Sequence, residues 1–114
     1  MIQTQKIIKN QDEIINCILT ITKINKIYIF GSYARGEQTQ ESDIDFYIVL
    51  ENNLESFDEL LNISYKIRKK LIENNLYTRM DILLNDKNDF ESKKNTNGNI
   101  EYTVNQEGVI IYGE

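Results

Sequence analysis

The sequence contains no histidine, no tryptophan and no proline, and it has a single cysteine, Cys17. Without histidine, catalytic triads of the Ser-His-Asp and Cys-His types are excluded, as are zinc sites built on histidine. One cysteine cannot form an internal disulfide. This predicts a reducing, cytoplasmic location. Cys17 itself is expected to pack as a small apolar side chain. Any catalysis must therefore rely on carboxylates, hydroxyls, lysine, arginine, the backbone and bound metal.

Long hydrophobic runs are also missing, and polar residues already occur within the first ten positions. We therefore expect neither a signal peptide nor a membrane-spanning segment. The 114 residues carry 13 Lys and Arg against 18 Asp and Glu, a formal net charge of −5. Because phosphate contacts need a basic surface, direct binding of nucleic acid is not expected. Length and composition predict one globular domain over residues 1–114.

Two periodicities of apolar residues alternate along the chain. Helical spacing predicts one amphipathic helix from Thr4 to Thr22 and a second that begins at the capping box Ser56-Phe57-Asp58-Glu59. The remaining pattern predicts short helices over 32–36, 87–94 and 98–106 and strands over 27–30, 43–50, 77–84 and 109–112. Since helices and strands alternate, we expect an α+β fold, a small mixed β-sheet with helices packed on it.

A glycine and a serine, Gly31 and Ser32, follow the first predicted strand, where a short helix begins. Glycine permits a tight backbone turn, amides at a helix start can face an anion, and the serine hydroxyl adds a donor. These residues form a candidate cradle for a phosphate group. Taken alone, an ordinary strand-to-helix turn is the better interpretation, because short glycine motifs often occur by chance.

Three aspartates carry the stronger signal. Asp43 and Asp45 lie two residues apart on a predicted strand, so both carboxylates share one face, roughly 7 Å apart at Cβ. An isolated Asp-x-Asp is more often a solvated strand edge. Asp81, however, interrupts an apolar run in which aspartate is disfavoured. If the two strands are neighbours, the three carboxylates can hold one or two divalent ions, which predicts transfer of a phosphoryl or nucleotidyl group.

The same residues resemble a known signature. Gly31-Ser32-Tyr33-Ala34-Arg35-Gly36, followed after five residues by Ser42-Asp43-Ile44-Asp45, resembles the motif of the DNA-polymerase-β-like nucleotidyltransferase superfamily. The small size and close spacing resemble its minimal nucleotidyltransferases, the MNT proteins. These are typically encoded beside a HEPN-domain protein as toxin–antitoxin pairs. The signature covers residues 28–50, and Asp81 and the tail extend the resemblance over nearly the whole chain.

The resemblance implies a role for each of these residues. Asp43, Asp45 and Asp81 would ligate two Mg²⁺ ions, for which Mn²⁺ could substitute, and Asp81 would help to activate the attacking hydroxyl. Gly31 and Ser32 would hold the terminal phosphates of ATP. Arg35 would be a further phosphate contact, although a solvated arginine is an equally good interpretation of it.

The implied activity is transfer of AMP from ATP to a tyrosine of a HEPN ribonuclease toxin, which would inactivate the toxin. Two other functions stay open. The chain could neutralise its toxin by binding alone, although three clustered carboxylates are costly to keep without a cation. It could also modify a small molecule at a site formed by a dimer interface. Because the larger antibiotic-modifying relatives use a second domain for their substrate, we expect a partner to deliver the acceptor here.

Overall fold

The computed structural model describes residues 6–113. Five helices and four strands follow one another in this part of the chain: α1 (Gln11–Leu19), β1 (Ile24–Phe30), α2 (Ser32–Arg35), β2 (Ile44–Leu50), α3 (Phe57–Glu73), β3 (Met80–Asp86), α4 (Lys87–Lys93), α5 (Ile100–Glu107) and β4 (Val109–Tyr112). The predicted α+β class is confirmed. Over residues 6–113, no helix is long and apolar enough to cross a membrane.

The four strands form one mixed sheet in the order β3-β2-β1-β4. β1 is antiparallel to both β2 and β4, whereas β2 and β3 are parallel. Two parallel neighbours cannot be joined by a tight turn, and α3 provides the crossover between them. This crossover brings the start of β3 beside the start of β2. It therefore determines which residues of the two strands face each other.

The sheet is covered on both faces by helices. On one face, α1 and α3 pack over strand residues such as Ile29, Phe46 and Ile82. On the other face, α4 and α5 contribute Phe90 and Val104 to a smaller core with these strand residues: Tyr28, Phe30, Tyr47 and Val49. Side chains alternate along a strand, so Asp45 shares the face of Tyr47. The carboxylates therefore lie at one end of the face that α4 and α5 cover.

The N-terminal helix is shorter than predicted. The helix expected over 4–22 begins only at Gln11, because Asn10 adopts a left-handed conformation with φ of 60°. The Gln11 side chain accepts hydrogen bonds from the backbone amides of Ile7 and Ile8, at 2.7 and 3.3 Å. These bonds hold the preceding residues in a turn although their apolar spacing fits a helix. Positions 4 and 5 of this prediction lie outside the described residues.

Other boundaries differ by a few residues. β1 starts three residues before the predicted 27–30, and the third strand runs from Met80 to Asp86 instead of over 77–84. The predicted start of α3 is confirmed, since the Ser56 hydroxyl accepts from the Glu59 amide at 3.1 Å. The returning bond of the capping box is displaced by one residue, because the Glu59 carboxylate accepts from the Glu55 amide.

A buried hydrogen bond holds α5 against the centre of the sheet. The Tyr47 hydroxyl donates to Glu101 Oε2 at 2.6 Å, and both side chains are buried. Burial, followed by the bond to Glu101, raises the pKa of Tyr47 well above its usual range. The tyrosine therefore stays protonated and serves as the donor.

Replacing this tyrosine by phenylalanine should destabilise the protein. Tyr47→Phe leaves the Glu101 carboxylate buried without its partner, which costs about 1–3 kcal/mol of unfolding free energy. Urea denaturation measures the change. The double variant Tyr47→Phe with Glu101→Met is the matched control, because removing both polar partners should recover part of the loss. Equal stability of Tyr47→Phe and the wild type would contradict this prediction.

Candidate functional site

The three aspartates predicted as metal ligands lie where β1 ends and β2 and β3 begin. Asp45 is paired with Phe30 of β1 on one side and with Asp81 of β3 on the other. Residues in register on neighbouring strands point to the same face, so the Asp45 and Asp81 side chains project side by side from one face of the sheet. Asp43 directly precedes β2 and is exposed. The structure therefore places two of the three carboxylates side by side and the third at the same end of the sheet.

Asp45 also lies against the turn between β1 and α2. Gly31 has φ of 74° and ψ of −150°, a conformation that residues with a side chain avoid. A Cβ atom at this position would lie 2.3 Å from Asp45 Oδ2. The turn thus needs glycine for two reasons, its backbone conformation and the space that the Asp45 carboxylate occupies.

The environment of Asp45 disfavours its charged form. Partial burial raises the pKa of Asp45, and the neighbouring Asp81 and Asp43 raise it further, against an opposing effect of Arg35. Desolvation and like charges both favour the protonated acid. A divalent cation at this place would remove the repulsion, so the electrostatics favour a bound cation.

This pKa predicts how stability depends on pH. A carboxyl with a raised pKa binds its proton more tightly in the folded than in the unfolded state. Stability is therefore lost as pH rises from the usual aspartate range through the raised value. In EDTA at neutral pH, Asp45→Asn should melt at a higher temperature than the wild type. The gain should shrink as the solution is acidified to about pH 4.

Two controls accompany this measurement of melting temperature. Asp58→Asn removes an exposed carboxylate on α3 and should show no such gain. Adding Mg²⁺ should stabilise the wild type by mass action but stabilise Asp45→Asn much less. If Asp45→Asn melts below the wild type in EDTA at neutral pH, the charged form of Asp45 does not destabilise the fold, and the prediction from its raised pKa is wrong.

The first turn of α2 offers donors for an anion. No hydrogen-bond partner for the Ser32 hydroxyl, or for the backbone amides of Ser32 and Tyr33, lies within residues 6–113. The Gly31 carbonyl accepts from the amides of Ala34 and Arg35, both at 3.1 Å, which closes the turn. Of the three residues predicted to contact phosphate, Ser32 is therefore the one with open donors.

The other predicted phosphate contacts already have protein partners. The Gly31 amide donates to Glu107 Oε2 at 2.8 Å. Arg35 is exposed and paired with two carboxylates, those of Glu37 and Glu107. Sequence reasoning did not find Glu107 as part of this site, because no spacing signal links it to residues more than 70 positions away.

The chemistry of the aspartates fits a divalent cation. Carboxylate oxygens are the ligands that Mg²⁺ prefers, and burial together with the neighbouring Asp81 and Asp43 raises the pKa of Asp45. Within the described part of the chain, no three acidic, cysteine or histidine side chains are grouped closely enough to hold an ion. Asp43 faces a positive charge of the protein itself, since its Oδ1 lies 3.4 Å from Arg79 Nε. The donor set therefore fits the metal in its chemistry, but the three carboxylates do not converge on a single point.

The fold and this site define a class of protein. The family model described as polymerase beta, nucleotidyltransferase matches residues 3–114. The chain therefore belongs to the polymerase-β nucleotidyltransferase family, and the family predicted from the sequence is confirmed.

Two proteins of Methanocaldococcus jannaschii resemble the chain in sequence, and both bear the provisional name protein adenylyltransferase. The chain is 52% identical to MJ1379 over 50 residues, which cover 43% of this chain and 50% of that protein. It is 34% identical to MJ0604 over 91 residues, which cover 79% of this chain and 80% of that protein. The match thus spans half the length of the first relative and most of the second.

Solved structures with the same fold include toxin–antitoxin complexes. A toxin–antitoxin crystal structure with AMP-PNP matches with a TM-score of 0.62 and 21% identity, over 93% of this chain and 75% of the other. A tri-AMPylated HEPN toxin of Shewanella oneidensis in complex with its MNT antitoxin matches with a TM-score of 0.54 and 20% identity, over 92% of this chain and 71% of the other. At these identities the likeness establishes the shared fold.

Proposed function

We propose that this protein is an antitoxin that transfers AMP from ATP to a tyrosine of a HEPN toxin. The observation that most supports this proposal is the strand register that pairs Asp45 with Asp81 beside the Gly31–Ser32 turn. The names of the M. jannaschii relatives support protein adenylylation. The tri-AMPylated toxin in a complex of the same fold supports the choice of acceptor. The open donors of Ser32 and Tyr33 support nucleotide binding.

Each site residue has a part in this reaction. Asp43, Asp45 and Asp81 would hold Mg²⁺, as two ions, and Mn²⁺ would serve in its place. The bound metal would offset the charge on the phosphates and on the leaving group. The Ser32 hydroxyl and the amides of Ser32 and Tyr33 would bind the terminal phosphates. Arg35 would add positive charge at the rim of the cradle.

The proposed bond changes are those of nucleotidyl transfer. The acceptor oxygen attacks the α-phosphorus of ATP, the bond from that phosphorus to the bridging oxygen breaks, and pyrophosphate leaves. The acceptor proton goes to the Asp81 carboxylate. Asp81 is exposed, so a hydroxyl delivered by a second protein can reach it.

The cellular setting follows from the same proposal. We infer that residues 1–114 act as one nucleotidyltransferase domain in a hetero-oligomer with the toxin. Cys17 is buried as a free thiol, as its sequence position predicted. A buried thiol packs as a small apolar group, and the proposed location is the cytoplasm.

The decisive experiment is nucleotide transfer to the protein encoded beside this one. The two proteins are incubated with Mg²⁺ and ATP labelled on the α-phosphate. We expect label on a tyrosine of the HEPN protein, release of pyrophosphate, and no transfer in EDTA. Mass spectrometry identifies the residue and counts the nucleotides. A complex that neutralises the toxin without any label would show that binding alone is the mechanism.

A further inference from the structure

A carboxylate outside the predicted ligand set contacts the candidate phosphate cradle formed by Gly31 and Ser32. Glu107, the last residue of α5, accepts from the Gly31 amide with Oε2 at 2.8 Å. The same oxygen lies 3.0 Å from Arg35 Nη1, and Oε1 lies 3.2 Å from that nitrogen. Glu107 therefore contacts both ends of α2, namely Gly31, which precedes the helix, and Arg35, which is its last residue. Its side chain is 27% exposed, so solvent only partly screens these bonds.

Gly31 is held from two directions. Its missing Cβ faces Asp45 Oδ2, and its amide points to Glu107 Oε2. The position of the turn relative to Asp45 thus depends on a bond from the other end of the chain. Without Glu107, the Gly31 amide would lose its acceptor and Arg35 would keep only its exposed pair with Glu37.

The backbone around Glu107 is fixed on both sides. The Gly108 amide donates to the Val104 carbonyl at 2.8 Å, which ends α5. A Cβ at Gly108 would lie 2.4 Å from that carbonyl oxygen and 3.0 Å from the Tyr28 ring. β4 begins at the next residue, Val109, which is paired with Ile29 of β1. A carboxylate anchored between a helix end and a strand is suited to hold the cradle in place.

We propose that Glu107 is a positioning residue for nucleotide binding. It fixes the Gly31 turn and the Arg35 side chain so that the open donors of Ser32 and Tyr33 stay aligned with Asp45. The inference rests on the proposed function, because the ligand it serves is the nucleotide. The rival role is that of a competitor, in which the carboxylate stands where a phosphate binds and must leave. The two roles predict opposite effects of removing it.

The test compares three variants in Mg²⁺. Glu107→Ala removes both contacts, and Glu107→Gln keeps an oxygen for the Gly31 amide but loses the charge. Glu37→Ala, the matched control, removes the other partner of Arg35 and leaves Gly31 untouched. Calorimetry measures the Kd for AMP-PNP, and labelled ATP gives KM and kcat for transfer. We expect Glu107→Ala to raise Kd and KM about tenfold with a smaller change in kcat, since the Gly31 amide loses its bond to a charged carboxylate and Arg35 loses one of its two ion pairs. Glu107→Gln should recover most of the affinity, and Glu37→Ala should stay within about twofold of the wild type.

A second measurement needs no nucleotide. Amide hydrogen exchange at Gly31 should be faster in Glu107→Ala than in the wild type and unchanged in Glu37→Ala. Unaltered exchange, or an AMP-PNP affinity equal to or tighter than that of the wild type, would overturn the positioning role. A further outcome is faster exchange at Gly31 in Glu107→Ala together with a wild type that neither binds nor transfers nucleotide. That result would refute the proposed function but would confirm the contact between Glu107 and the Gly31 amide.

Discussion

Replacing Asp43 and Asp45 together by asparagine should reduce nucleotide transfer by about 10³-fold or more and leave the protein folded. The loss follows because these carboxylates would hold the metal that stabilises the charge developing on pyrophosphate. The fold should survive because Asp43 is exposed, and because burial and the like charges of Asp81 and Asp43 raise the pKa of Asp45, so its charged form is unfavourable. Transfer of labelled AMP measures the activity, and circular dichroism with thermal melting measures the fold.

The same variant separates catalysis from binding in cells. The matched control replaces Asp12 and Asp58 by asparagine, which changes the net charge equally at two exposed helix positions. That control should keep both transfer and protection against the toxin. The Asp43 and Asp45 variant should lose both. Full protection without transfer would mean that the chain neutralises its toxin by occluding it, and partial protection would mean that both mechanisms contribute.

A methyl group at Gly31 should damage the site more than its size suggests. In Gly31→Ala, the new Cβ would have to share space with Asp45 Oδ2, and the backbone would have to keep a conformation that alanine avoids. Either the carboxylate turns away from the predicted metal position or the α2 turn moves. We expect transfer to fall by about 10²-fold or more, because small displacements of positioning groups have effects of this size. The strain should cost about 1–3 kcal/mol of unfolding free energy.

Two other glycines provide the controls for this substitution. Gly36 and Gly98 also have positive φ, of 71° and 107°, but no atom lies within 4 Å of a Cβ built at either position. Gly36→Ala and Gly98→Ala should therefore carry backbone strain without displacing a carboxylate. Their transfer activity should stay near that of the wild type. Equal activity of Gly31→Ala and these controls would show that the contact with Asp45 has no functional role.

Local sequence patterns predicted the presence of helices and strands better than the residues at which they begin and end. The apolar residues and glycine at positions 27–31 predicted a strand followed by a turn, and the structure has β1 and α2 there. Ser56 predicted the start of α3 because a serine hydroxyl can accept the amide three residues on. The first helix was predicted too long. The spacing of apolar residues gives no sign that the Gln11 side chain accepts hydrogen bonds from the preceding amides.

The sequence by itself determined the family and the α+β class, because these depend on residue types at short spacings. It also indicated the candidate ligands, Asp43 and Asp45 by their spacing and Asp81 by its place inside an apolar run. Two features were decided only by the tertiary structure. The crossover through α3 sets the register that pairs Asp45 with Asp81. The return of α5 and β4 against β1 brings the Glu107 carboxylate to the amide of Gly31. Both contacts join residues far apart in the chain, and periodicity carries no information about which distant residues the packing of the sheet will bring together.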